Sequence, residues 1–174
     1  MPFPVFAAGD ILTASDMNAV GLWLVKTQTI GTSVTSINVT SAFSSSYANY
    51  LVTVSGGTVA SNAALNLQLG ATVTNYQTNY IYTSYNNTVA GVGTTAGTSY
   101  DRFGFAATGG LYAFCYISAP QLASNTYFNS FYTGASDLGW AGGRLVNTTQ
   151  YTDFTMSCTQ ALTGGVIRVY GMRN

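Results

Sequence analysis

Very few side chains in this chain could carry out chemistry. Its 174 residues include no His and no Glu, and the five acids are all Asp: Asp10, Asp16, Asp101, Asp137 and Asp153. Without His, the Ser-His-Asp and Cys-His arrangements are excluded, because each uses an imidazole to take the nucleophile's proton near neutral pH. Zinc sites that use His go with them, and two cysteines, Cys115 and Cys158, fall short of a four-thiolate site. Glycoside hydrolysis usually needs a pair of carboxylates. No Asp here stands in an acid/base motif: Asp16 reads as a helix cap, while Asp101 beside Arg102, and Asp153 ahead of a strand, read as loop or edge residues. There is no Asp-x-Asp spacing for calcium, and Gly91–Gly97 lacks the Lys-Ser/Thr ending of a phosphate-cradling loop. The expectation is a non-enzyme with no catalytic residues, no metal and no cofactor.

What remains for function is aromatic. Tyr76, Tyr80, Tyr82, Tyr85 and Tyr100 gather in one region among Asn and Thr. Flat rings with hydroxyls and amides nearby suit a sugar-binding or other surface-contact face. The same residues suit strand packing or a subunit interface, where Tyr is also enriched, and its β propensity favours these. Trp140, ahead of Gly142-Gly143, suits either a core position or a contact at a sheet end.

Charge points the same way. Charged residues make up 6% of the chain and the net charge is zero, against about a quarter charged in an ordinary soluble chain. A neutral chain lacks the electrostatic footprint of a nucleic-acid binder. So little charge suits a surface covered in an assembly. Cys115 and Cys158 each sit in an apolar strand pattern and read as small buried hydrophobes, with a bridge open if their strands face each other. No basic leader precedes an apolar stretch, so no signal peptide is expected, and the sequons at Asn38, Asn86 and Asn147 read as chance. No apolar run is long enough for a membrane-spanning helix, so no membrane insertion is expected.

Two parts must position these residues. Residues 1–26 read as an attachment arm with a short helix. Thr13 is a good N-cap with Asp16 in the capping-box position, and Leu12 and Met17 can form a hydrophobic staple. The spacing of Met17, Val20 and Leu24 predicts a helix over Ala14–Leu24, too short to be stable without a partner surface. Phe3, Phe6, Ile11, Leu12, Met17, Val20 and Leu24 would be its buried anchors.

Residues 27–174 change to a period of two. Strands are expected at Ser33–Thr40, around Leu51–Val54, Leu65–Leu69, Tyr80–Tyr85, Phe103–Ala107, Leu111–Ser118, Thr126–Thr133, Leu138–Val146, Phe154–Thr159 and Val166–Met172. Gly56-Gly57, Asn86-Asn87, Gly109-Gly110 and Gly164-Gly165 mark turns, and the last two read as tight hairpins. Thr88–Ser99, rich in Gly, Thr and Ala, reads as an exposed loop. Many short strands with Gly-rich turns predict an all-β fold, a jelly-roll-like β-sandwich.

The stretch Phe6-Ala-Ala-Gly-Asp-Ile-Leu-Thr-Ala-Ser-Asp-Met-Asn resembles the start of tail-fibre-like and minor structural proteins of tailed bacteriophages. Phe43–Ser55 is similar to the early strands of their β-domain, and Gly165-Val-Ile-Arg-Val-Tyr-Gly-Met-Arg-Asn to their closing strand. The resemblance implies a virion component assembled in the host cytoplasm, a homo-oligomer and specifically a trimer. Its N-terminal segment would dock into tail, baseplate or capsid proteins. Its β-domain would contact a host surface glycan or protein. A capsid decoration or cement protein and a carbohydrate-binding module are the alternatives.

Overall fold

The computed structural model of the protein describes Gly9, Ile11, residues 21–135 and residues 137–172. Among these, every helix or strand element is a strand. In chain order they are β1 (Leu22–Thr29), β2 (Val34–Val39), β3 (Asn49–Gly56), β4 (Thr58–Val59), β5 (Ala63–Leu69), β6 (Tyr76–Ser84), β7 (Val89–Gly97), β8 (Tyr100–Ala107), β9 (Gly110–Ser118), β10 (Thr126–Thr133), β11 (Asp137–Leu145), β12 (Phe154–Thr163) and β13 (Val166–Met172). All pairings are antiparallel.

The strands hydrogen-bond in two runs that meet at β9. One run is β1-β13-β3-β9-β10-β11-β6-β7, and the other is β2-β12-β5-β8, with β4 beside β12. One edge of β9 carries β3. Its other edge is divided: Gly110–Ala113 pairs with β8 and Phe114–Ser118 with β10. Dividing an edge in this way lets the sheet part into two layers, an arrangement consistent with a β-sandwich.

The core follows from alternation. Along β10 every second residue points inward, so Thr126, Phe128, Ser130 and Tyr132 are buried while Tyr127, Asn129, Phe131 and Thr133 are exposed. Leu65, Leu67 and Leu69 of β5 are wholly buried, each contributing about 1.5–3 kcal/mol by burial. They share a core with Phe103, Phe154 and Met156 of their own run and with Val52, Cys115, Ile117, Phe128, Ile167 and Val169 of the other.

Several expectations are corrected. Leu24 belongs to strand β1 rather than to a helix end: it pairs with Tyr170, and β1 crosses the expected boundary at residue 26. Trp23, Val25, Thr27 and Thr29 are β formers, and the β13 edge pairs the strand on either side of a register shift at Val25. Leu22 and Trp23 of the expected helix also lie in β1, with Gly21 a bend ahead of it, and residues 13–20, with Thr13 and Asp16, lie outside the described residues. Thr88–Ser99 is largely strand β7 rather than a loop. Its small residues hide any alternation, and backbone pairing with β6 holds it as an edge strand.

Gly109-Gly110 does close a hairpin, with Ala107 opposite Gly110. Gly164-Gly165 does not, because β13 pairs with β1 and β3 and not with β12. This turn instead carries the chain from one run to the other, beside the Gly56-Gly57 link between β3 and β4. A Cβ on Gly57, whose φ is +74°, would collide with the Gly164 carbonyl and with Leu111. Two connections cross at this point, and only glycine lets their backbones meet.

Candidate binding face

The five strands β9, β10, β11, β6 and β7 present an outer face that no other described element covers. Side chains directly opposite in an antiparallel pair lie on the same face, so the registers can be read as rows across the strands. One row runs Thr53, Phe114, Phe131, Trp140, Ile81, Gly91. Phe114, Phe131, Trp140 and Ile81 are all substantially exposed, Phe131 by 55%. The next row runs Tyr116, Asn129, Gly142, Asn79, Gly93. A third contains Tyr127, Arg144 and Gln77.

Trp140 stands between two depressions. On one side Ile81, Val89, Phe131 and Leu138 line a hollow of about 400 Å³ with an almost wholly apolar wall. On the other side lies a trough of about 480 Å³, lined by Gln77, Asn79, Thr94, Tyr127, Gly142 and Arg144 among others. Both volumes fall in the range of small-ligand sites.

Glycine makes the trough. Gly142 and Gly93 flank Asn79 in their row and add no side chains of their own to its floor. The indole of Trp140 leans over Gly142, so that a Cβ there would stand 2.8 Å from Cζ2. Trp140 Nε1 donates to Asn129 Oδ1, which fixes this lean. On the opposite wall Arg144 Nε donates to Gln77 Oε1 at 2.8 Å. Among the described residues, no acid lines the trough.

The five tyrosines, read from the sequence as strand packing or a subunit interface ahead of a contact face, divide by register. Tyr76 and Tyr100 are wholly buried and present nothing to a surface. They fall on inward positions of β6 and β8, where the core takes their rings and backbone groups take their hydroxyls. Tyr76 Oη accepts from Leu69 N at 2.7 Å, and Tyr100 Oη donates to Ala141 O at 2.7 Å. Burial pushes both phenols well above their ordinary pKa. Tyr80 and Tyr82 are half-buried, and the Arg102 guanidinium sits over their rings at 4.9 and 5.1 Å, and over Phe105 and Tyr132 at 5.7 and 5.4 Å. Of the five, Tyr85 is the exposed one, at the β6–β7 turn.

The anchor residues are placed only in part. Ile11 is exposed, Leu24 lies in β1 and is half-exposed, and Phe3, Phe6, Leu12, Met17 and Val20 lie outside the described residues. Cys115 and Cys158 are both free and buried.

The exposed aromatics of β9 and β10 were not singled out from the sequence, although a signal exists. Leu111–Ile117 sets Leu111, Ala113, Cys115 and Ile117 against Tyr112, Phe114 and Tyr116. A strand apolar on both faces either lies in the middle of a core or holds one face for a partner. Comparison with family models, with curated proteins and with solved structures finds no match to this chain.

Proposed function

We propose that this chain is a non-catalytic structural protein of a phage-like virion, fibre-like in role, which docks through its N-terminal segment and meets a surface with the outer face of its β-domain. The observation that carries the reading is the exposed row Phe114, Phe131, Trp140, Ile81 on one sheet face of a nearly uncharged chain. Contiguous exposed apolar surface on that scale marks a contact site. The apolar half, around Phe131, Ile81, Leu138 and Val89, suits contact between copies in a homo-oligomer, the trimer of fibre proteins. The trough beyond Trp140 suits a ligand from outside.

The strand order supports a jelly-roll-like reading of the sandwich. The run β2-β12-β5-β8 would be one layer. The strands β3, β9, β6 and β7 would form the other, with β10 and β11 inserted between β9 and β6, and with β13 and β1 added beside β3.

The N-terminal role is tested by deletion. Because β1 begins at Leu22, the cut belongs after residue 20. The shortened protein should keep its β-sheet circular dichroism and fail to enter particles assembled with it in place of the full chain. Normal incorporation overturns the docking role. Localisation to the capsid shell at high copy number, in an image of the particle, would favour the cement reading over the fibre reading.

A further inference from the structure

We infer that the glycine-floored trough between Trp140 and Arg144 binds a saccharide that carries a carboxylate. The inference rests on the outer face being a contact surface and goes further, to a site and a ligand class. A pyranose ring has an apolar face of C–H groups, which stack on aromatic side chains, and a rim of hydroxyls, which need paired donors and acceptors. The trough offers both. Tyr127 in its wall is 51% exposed, and Trp140, which lines the neighbouring hollow and borders the trough where its indole leans over Gly142, is 39% exposed. The Asn79 amide stands between Gly142 and Gly93, where no neighbouring side chain in its row shields it.

The acidic preference comes from Arg144. Its Nε is held by Gln77 Oε1 at 2.8 Å, which orients the guanidinium and leaves the Nη1 and Nη2 donors for a ligand. A guanidinium presents paired donors that match a carboxylate. Among the described residues, Arg144 is the sole ionisable cation or acid in the lining apart from the Tyr127 phenol. The protein therefore supplies the cation, and a neutral site is completed by an anion from outside. Gly142 makes room for the indole, since any side chain there meets it.

The test uses the full-length protein and the methyl glycosides of glucuronic, galacturonic and N-acetylneuraminic acid, each beside its methyl ester, followed by saturation-transfer NMR and chemical-shift titration. At least one acid should bind, and its ester should bind about threefold to tenfold more weakly, as expected for one exposed charge-assisted contact. Arg144→Gln should weaken the acid far more than its ester and bring the two to one level. Trp140→Ala should weaken both, with its thermal melt serving as the folding control; Asn79→Ala, on a half-open strand position, is the second variant if Trp140→Ala melts early. The inference is overturned if no acid in the set binds, if acid and ester bind alike, or if Arg144→Gln keeps the preference. If the sugars fail while the full chain still adheres to a cell surface and the Phe131→Ser variant adheres less, the trough assignment alone falls. If the full chain adheres to no cell surface, the contact reading beneath it falls as well.

Discussion

Tyr100 of β8 stacks on Phe128 of β10, with ring centroids 4.6 Å apart and planes 15° from parallel. The two strands belong to different runs of the sheet and share no backbone ladder, although Ser130 Oγ of β10 donates to Arg102 O of β8 at 3.0 Å. The stack is therefore side-chain adhesion between layers. Oη of Tyr100 adds a polar tie across the same gap, to Ala141 O at 2.7 Å and beside Ser130 Oγ at 2.8 Å.

Ring and hydroxyl can be separated by substitution. Tyr100→Phe keeps the stack and should cost about 1 kcal/mol, the net worth of a buried hydrogen bond. Tyr100→Ala removes the ring and should cost about 3–5 kcal/mol. Guanidinium unfolding curves measure both. Equal losses for the two variants would mean that the hydroxyl, and not the stack, joins the layers.

The alternation along β10 makes a second contrast. Phe128 is buried and Phe131 is 55% exposed, although they are three residues apart in one strand. Phe128→Ala should cost about 3–5 kcal/mol. Phe131→Ser should cost less than about 1 kcal/mol, the scale of a cross-strand pair. It should also lower self-association in sedimentation velocity, as the proposed copy contact requires. A large stability loss in Phe131→Ser would show that the outer face is needed for folding.

At the crossing of the two connections, Gly57→Ala places a methyl group against the Gly164 carbonyl, in a left-handed conformation at φ +74°. Strain of about 1–2 kcal/mol and overpacking of about 1–3 kcal/mol should combine into a clear fall in thermal midpoint. Gly109→Ala, with nothing within 4 Å of its Cβ, is the control and should stay within about 0.5 kcal/mol of the parent. Similar midpoints for the two variants would remove the reason given for glycine at the crossing.

Alkaline pH should unfold the protein. Burial raises the pKa of Tyr50, Tyr76 and Tyr100 above the ordinary 10.0, and of Cys115 and Cys158 above 9.0. In this direction the folded state holds protons that the unfolded state gives up. Stability is therefore complete below about pH 9 and falls as pH rises through 9 to 10 and beyond. The unfolding midpoint in urea should drop across that window, and the two thiols should react with a maleimide only after unfolding. A flat midpoint through pH 11 would contradict the burial of these groups.

The sequence by itself determined the class of the fold and what it excludes. Period-two alternation in Leu65–Leu69 and Thr126–Thr133 produces strands wherever a partner is found, because burying one face is the dominant gain. Local signals failed where pairing, not side-chain pattern, decides. β7 has too few large residues to show its period and is held by the backbone of β6. The Gly164-Gly165 turn looks like a hairpin, but its two strands part company, because turn chemistry specifies a reversal and not which strands pair. The tyrosines illustrate the same limit. Tyr76, Tyr100, Tyr116 and Tyr127 are alike as residues, and strand register alone sends the first two into the core and leaves the other two outside. Only the tertiary structure could bring Trp140, Gly142, Asn79 and Arg144 together, since β6 and β11 are far apart in the chain and their shared trough exists only once those strands lie side by side.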